Sequence, residues 1–235
     1  MQFLTTTFNL ILYQPLFNAL VLLYLYFPGH DFGIAIIVLT ILIKFLFYPL
    51  GKQSIKSQKA LSGLQPKIKE IQEKYKQDKE KQTKEIMALY KKEKINPFSG
   101  CLPLLIQLPV LLALYRVFWN GFQPGQINLL YSFISFSGSI NPTLFGVINL
   151  SQPNLIMAFL NGALQFVQIK MVSPKKTKKQ SANFSDEMQK QMQYFMPIFI
   201  VLILFRLPSA LALYFLTSTL FTIIQQYVIL KHNPN

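Results

Sequence analysis

One lysine and a handful of amides and hydroxyls stand inside stretches of this chain that are otherwise apolar, and their spacing is regular. In the run from 32 to 50, Thr40, Lys44 and Tyr48 fall four apart. Asn161, Gln165 and Gln168 are spaced four and three. Tyr214 (with its neighbour Phe215), Ser218, Thr222 and Gln225 keep the same rhythm in the last apolar stretch, and Gln107 stands in a fourth. Steps of three and four put side chains on one face of a helix. The chemistry open to such a set is solvation and recognition: amides and hydroxyls can replace water around a polar chain, and Lys44 can attract an anion. Bond-making chemistry has no candidate. The chain contains no phosphate-binding loop, no HExxH and no Ser/His or Asp/Asp pairing within the apolar stretches. His30 and His232 lack a partner at ligand spacing, so no metal, no cofactor and no enzyme activity are expected. Cys101 is the single cysteine, which excludes an intrachain disulfide.

The elements that must position these residues follow from composition. The 235 residues are 51% hydrophobic and carry a formal charge of +14, and the two properties are segregated along the chain. Long apolar runs hold almost no charge and nearly all the lysine lies between them, which is the pattern of a membrane protein. The basic balance therefore speaks of topology and anionic lipid, not of a specific nucleic-acid partner. Five spans are expected, at 32–50, 99–119, 153–172, 191–206 and 209–230, the fourth of them short. Arg206-Leu207-Pro208-Ser209 divides the last two. The opening MQFLTTTFNLILYQPLFNAL lacks the basic region and cleavage site of a signal peptide and reads as part of the mature protein.

Orientation follows from lysine counts. Residues 51–98 hold 13 Lys against six acids, and 173–191 hold five Lys against two. The connection 120–152 carries no charge. The bias of lysine toward the cytoplasmic side puts the N-terminus outside and the short tail 231–235 inside. Lys44, Gln107, Gln165, Gln168, Thr222 and Gln225 then share the cytoplasmic half of the bilayer. A lysine costs about 2.5–3.5 kcal/mol at a span centre, and unpaired amides add to that. One wet cavity, open to the cytoplasm and sealed outside by apolar packing, satisfies them together. Plainer readings exist for each residue alone. Lys44 is about 9 Å from Leu50 and can snorkel; the glutamines can join helices; Ser218 and Thr222 can bond their own backbone. The coincidence of four helices at one depth favours the cavity.

Two further segments are expected outside the bundle. Leu61, Leu64, Ile68, Ile71 and Tyr75 make a narrow seam, residues 76–80 turn, and Ile86, Leu89 and Tyr90 return, which predicts a cytoplasmic helical hairpin within 51–98. Residues 1–31 are expected to hold a helix lying in the outer interface. Asn9, Gln14, Pro15 and Asn18 interrupt its apolar character and its tyrosines suit that depth, although a sixth span is the alternative. Arg116 and Arg206 read as interfacial anchors. Asn149-Leu150-Ser151 matches a glycosylation pattern that is common by chance.

INPFSGCLPLLIQLPVLLALYRVF (95–118) closely resembles the signature second span of the YidC/Oxa insertase family, and ILYQPLFNAL, ILIKFLFYPL, LQPKIKEIQEKY, EIMALYKKEKINP, FMPIFIVLILFRLPSALALYF and TIIQQ follow the family's order. The resemblance covers nearly the whole chain and is to a short form without the large outer domain of some relatives. It implies a multi-pass protein of the cell (inner) membrane with a groove open to cytoplasm and lipid and a positive charge at its floor. That charge is normally arginine; the matching position here is Lys44. Thr40, Gln107, Tyr214 and Phe215 match groove positions, Phe215 standing for a frequent tyrosine. The implied partners are nascent membrane-protein substrates and the lipid bilayer. The hairpin is the expected docking surface for the ribosome, the signal-recognition receptor or the nascent chain, since the long basic tail of some relatives is missing; a Sec translocase is a further candidate. A substrate is expected to slide along a mouth between the third and fifth spans, without nucleotide hydrolysis. The rival readings are a small transporter or channel, which calls for inverted repeats and a membrane acid that the chain lacks, and an assembly chaperone that holds proteins without inserting them.

Overall fold

The computed structural model describes residues 2–27, 29–96, 102–120, 129–136, 140–173 and 184–232. Cys101, the lysine run that begins at Lys175 and the last residues of the tail lie outside these. An N-terminal rod joins α1 (Gln2–Phe8) through a π-helical turn (Asn9–Tyr13) to α2 (Gln14–Tyr26). There follow α3 (Phe32–Leu46), α4 (Tyr48–Lys74), α5 (Lys79–Lys92), α6 (Leu102–Asn120), α7 (Leu155–Val172), α8 (Phe184–Leu204) and α9 (Ser209–His232). A two-residue pair, β1 (Thr143–Leu144) and β2 (Ile148–Asn149), forms a small antiparallel hairpin before α7. The chain is thus mostly helical, as expected, with one hairpin that the apolar periodicity did not announce.

Length and composition let Thr5–Tyr26, Leu155–Val172 and Ser209–Lys231 cross a bilayer, and α3 with α4 qualifies only as a bent pair, 69° apart. Several expected boundaries therefore move. The first apolar helix stops at Leu46, not at residue 50, because Pro49 has no N–H to donate to the carbonyl four residues back and its ring crowds that carbonyl, whereas in the first turn of a new helix it is at home. Its 15 residues cover about 22 Å. Tyr48, Pro49 and Leu50 belong to the hairpin's first helix. At the other extreme α8 is longer than the expected 191–206: it starts at Phe184, inside what read as a basic loop, and only Gln193–Leu204 is apolar. The break between α8 and α9 falls where Pro208 put it.

The hairpin follows its seam. Leu64 and Ile68 are buried between α4 and α5, the side chain of Asp78 caps α5 by accepting from the Lys81 N–H at 2.9 Å, and Lys67 Nζ donates to Glu93 across the two helices at 2.6 Å. Farther down, Ser54 and Ile55 are buried where α4 meets α6, α7 and α9. The base of the hairpin is therefore built into the bundle.

The opposite end is closed by the segment after α6. Asp31 caps α3 by accepting from the Ile34 N–H at 2.9 Å, and its second carboxylate oxygen accepts from the Phe145 N–H of the β-hairpin. Leu144 lies so close to Gly33 that any side chain there would collide with it. Ser209 and Ala210 donate their N–H groups to Gln152 and Leu150, which ties the start of α9 to the same lid. Buried Tyr24, Phe32 and Phe118 pack edge-on beneath it.

The N-terminal rod spends its polar interruptions on this end. Asn18 is buried; its amide donates to the Leu129 carbonyl at 3.0 Å and its oxygen accepts from the Tyr131 N–H at 2.7 Å. Gln14 also donates to Leu129, and Arg116 of α6 donates to Asn9 at 2.8 Å, over the rings of Phe8 and Tyr13. Arg116 thus pins one helix to another.

Candidate functional site

α9 is the hub. It packs against α3 and α7 along their lengths and meets α4, α6 and α8 as well. Its first turns are buried on every side (Ala210, Leu211, Ala212, Leu213 and Tyr214), which fixes the rotation of the helix and so the aim of its polar edge.

That edge gathers polar groups from three neighbours. Lys44 Nζ of α3 donates to Thr222 Oγ1 at 3.1 Å, and Thr222 Oγ1 donates in turn to the Ser218 carbonyl at 2.9 Å. Gln107 of α6 donates its amide to the Tyr214 hydroxyl. Gln225 donates to the Tyr48 carbonyl at 3.0 Å, at the bend between α3 and α4. Phe215, half-buried, stacks edge-on against Tyr214. The ammonium of Lys44 has three N–H donors. One goes to Thr222, and among the described residues no carboxylate pairs with it. An unneutralised, half-buried cation in an apolar bundle is what the arrangement presents.

The remaining predicted residues divide. Gln165 and Gln168 are half-buried on α7 and make no hydrogen bond among the described residues. Thr40 and Asn161, by contrast, are each only 1% exposed. Thr40 Oγ1 donates to the Ile36 carbonyl of its own helix at 2.6 Å. Asn161 donates to Met157 at 2.8 Å and to the Ala212 carbonyl of α9 at 2.9 Å. It therefore joins α7 to α9, the plainer reading of a membrane amide. This contact also corrects the expected mouth between the third and fifth spans, because α7 and α9 are in direct packing there. α6 and α8 instead each meet α9 and share at most a marginal contact with one another among the described residues, and each turns an apolar face outward: Leu105, Leu108 and Leu112 on one, Phe195, Ile198 and Leu202 on the other.

Three participants went unread in the sequence. At Gly51 a Cβ would lie 2.9 Å from Gln225 Oε1, so a side chain there would push that amide aside. Gly162 likewise lets α7 close on α8, where a Cβ would sit 2.5 Å from Val201 Cγ2. Gln226 is buried with its Oε1 unpaired among the described residues. A glycine inside a helical pattern is the signal that points to the first two.

The chain has known relatives. The 60Kd inner membrane protein family matches residues 23–235. A membrane protein insertase YidC of Fusobacterium nucleatum subsp. nucleatum is 39% identical over 202 residues, which cover 86% of this chain and 87% of that one. The proteins of the same name from Wigglesworthia glossinidia brevipalpis and Syntrophus aciditrophicus are 36% and 40% identical over 93% of this chain, but the match spans only 36% of each of them. Apolar helices fit for a bilayer and similarity over nearly the whole length agree. The chain belongs to the 60Kd inner membrane protein (YidC/Oxa) family and is a multi-pass protein of the cell membrane.

Proposed function

We propose that this protein is a membrane insertase and chaperone that eases the entry of substrate transmembrane segments and their short polar flanks into the bilayer. One observation carries the reading: Lys44 holds an unneutralised ammonium against Thr222, at the edge of α9 that also gathers Gln107, Tyr214 and Gln225. Five spans, at α3, α6, α7, α8 and α9, run with the N-terminus outside and the hairpin in the cytoplasm. A groove open to cytoplasm and lipid lies along α9, with Lys44, Gln107, Thr222 and Gln225 on its walls and the amides of Gln165 and Gln168 near its cytoplasmic mouth. The apolar part of a substrate slides between α6 and α8, whose outward faces match lipid, while its polar flank enters the groove. There the amides, hydroxyls and water stand in for part of its hydration.

The drive needs no nucleotide. Partition of about 20 apolar residues into lipid supplies most of it, and the membrane potential adds about 2.3 kcal/mol per acidic charge per 100 mV moved outward. Lys44 attracts the acids of the flank on their way. The N-terminal rod lies in the outer interface, not across the bilayer. Asn9 and Tyr24 are 15 residues apart, about 22 Å along the rod, yet Asn9 meets α6 one turn from its end and Tyr24 meets Phe32 at the start of α3. Nascent membrane proteins are the substrates; the ribosome, the signal-recognition receptor and a Sec translocase are candidate partners of the hairpin.

The test is insertion of a radiolabelled single-span substrate into liposomes holding the purified protein alone. Protease-protected substrate in its correct topology is expected. Binding without protection would leave an assembly chaperone, and passage of ions or small solutes at substrate-independent rates would point to a channel.

A further inference from the structure

The bend between α3 and α4, whose far side packs on the bundle through Ser54 and Ile55, also carries one hydrogen bond from α9 at the break itself. Phe47, at φ −92° and ψ 10°, breaks the helix, and the 69° turn sends α4 away from the bundle. A bare break of this kind is a swivel. Here Gln225 Nε2 reaches across from α9 to the Tyr48 carbonyl, the first residue past the break. Gln225 is only 6% exposed, so the amide is already desolvated and the bond has little competition from water. Gly51, one turn into α4, clears the space: a Cβ there would lie 2.9 Å from Oε1 and 3.1 Å from Nε2 of the same amide. Three residues before Gln225 on α9 stands Thr222, which holds Lys44.

We infer that Gln225 is a positioning residue that sets the direction in which the cytoplasmic hairpin leaves the membrane, that Gly51 exists to admit it, and that the same edge of α9 couples hairpin direction to the seat of Lys44. The inference deepens the insertase reading, on which its last clause rests. Anything that docks on the hairpin and levers α4 loads the Gln225–Tyr48 bond, and Thr222 lies less than one turn away.

Geometry makes the effect measurable without any substrate. α4 has 27 residues, about 40 Å of lever, so a tilt of about 10° at the break carries the tip by roughly 7 Å. Spin labels at Gln77→Cys, on the exposed turn, and Val147→Cys, on the exposed hairpin at the far end, would report it in the full-length protein with Cys101→Ser. Pulsed dipolar spectroscopy should give one narrow distance in the parent. Gln225→Leu keeps the bulk and removes the donor; it should shift and broaden the distribution by several ångströms. Gly51→Ala should do the same by pushing the amide aside. Because both break one bond, the double variant should look like either single. A hairpin distance unchanged in both singles, or changes that add in the double, would overturn the inference. Substrates with acidic flanks, assayed separately, should then insert more slowly in both singles. A shifted distance with unimpaired insertion would overturn the coupling to Lys44 while leaving the positioning role in place, and loss of insertion with an unchanged distance would remove the positioning role.

Discussion

Replacing Lys44 with alanine should cost the protein its preference for acidic flanks and little else. The magnitude follows from the surroundings of the ammonium. Its one hydrogen-bond partner among the described residues is neutral Thr222, so the charge is not already cancelled. A substrate carboxylate at about 4 Å would gain about 1 kcal/mol in bulk water and about 4 kcal/mol at the effective dielectric of a protein surface site. Lys44 is half-buried, and a value near 2 kcal/mol between those limits is about a 30-fold difference in insertion rate. The assay compares two single-span substrates in proteoliposomes, one with Asp or Glu in its translocated flank and one with Asn or Gln at the same places. Wild type should favour the pair's slow step for the acidic substrate by roughly 30-fold beyond what the Lys44→Ala variant does. Lys44→Arg should keep most of the difference, since the charge is retained and the longer fork still reaches Thr222. An alanine variant that handles both substrates as wild type does would refute a working charge. Equal slowing of both would refute it too, because the loss would then be one of packing.

Two other outcomes follow from particular contacts. Gly162→Ala places a Cβ 2.5 Å from Val201 Cγ2 and 3.3 Å from the Pro197 carbonyl, so it should destabilise the α7–α8 contact by about 1–3 kcal/mol; Val201→Ala in that background should recover much of the loss in thermal unfolding in detergent. In the hairpin, the hydrogen bond and charge of Lys67 hold the Glu93 carboxyl below its ordinary value of 4.5. A depressed carboxylate supports the fold above its unfolded pKa, and the support is lost as pH falls through the folded value, so the Lys67–Glu93 link should be complete at neutral pH and open only in acid below about 4.5. Carbon NMR of labelled Glu side chains should show the Glu93 midpoint rise in Lys67→Gln.

Much of this protein was written locally and could be read locally. Segregation of lysine from apolar runs marks the membrane class; Pro208 marks the break before α9; the seam from Leu61 to Tyr75 marks a hairpin, and Leu64 and Ile68 of that seam are buried. Pro49 held the position of the bend too, although an unbroken apolar run concealed it. Periodicity says which side chains share a face, because that depends only on the pitch of one helix. It does not say what the face meets. Gln165 and Asn161 are four apart on α7 and look alike in sequence, yet the Asn161 amide donates to the Ala212 carbonyl while Gln165 makes no hydrogen bond among the described residues. The partner of a face depends on how distant helices cross, and in this chain that was settled by contacts with no local trace. Gly51 admits Gln225 from more than 170 residues away, Gly162 admits Val201, and Asp31 captures the Phe145 N–H from 114 residues along the chain. The residues able to meet a polar substrate were visible in the chain; the edge of α9 that brings Lys44, Thr222 and Gln225 into one line exists only once the helices have packed.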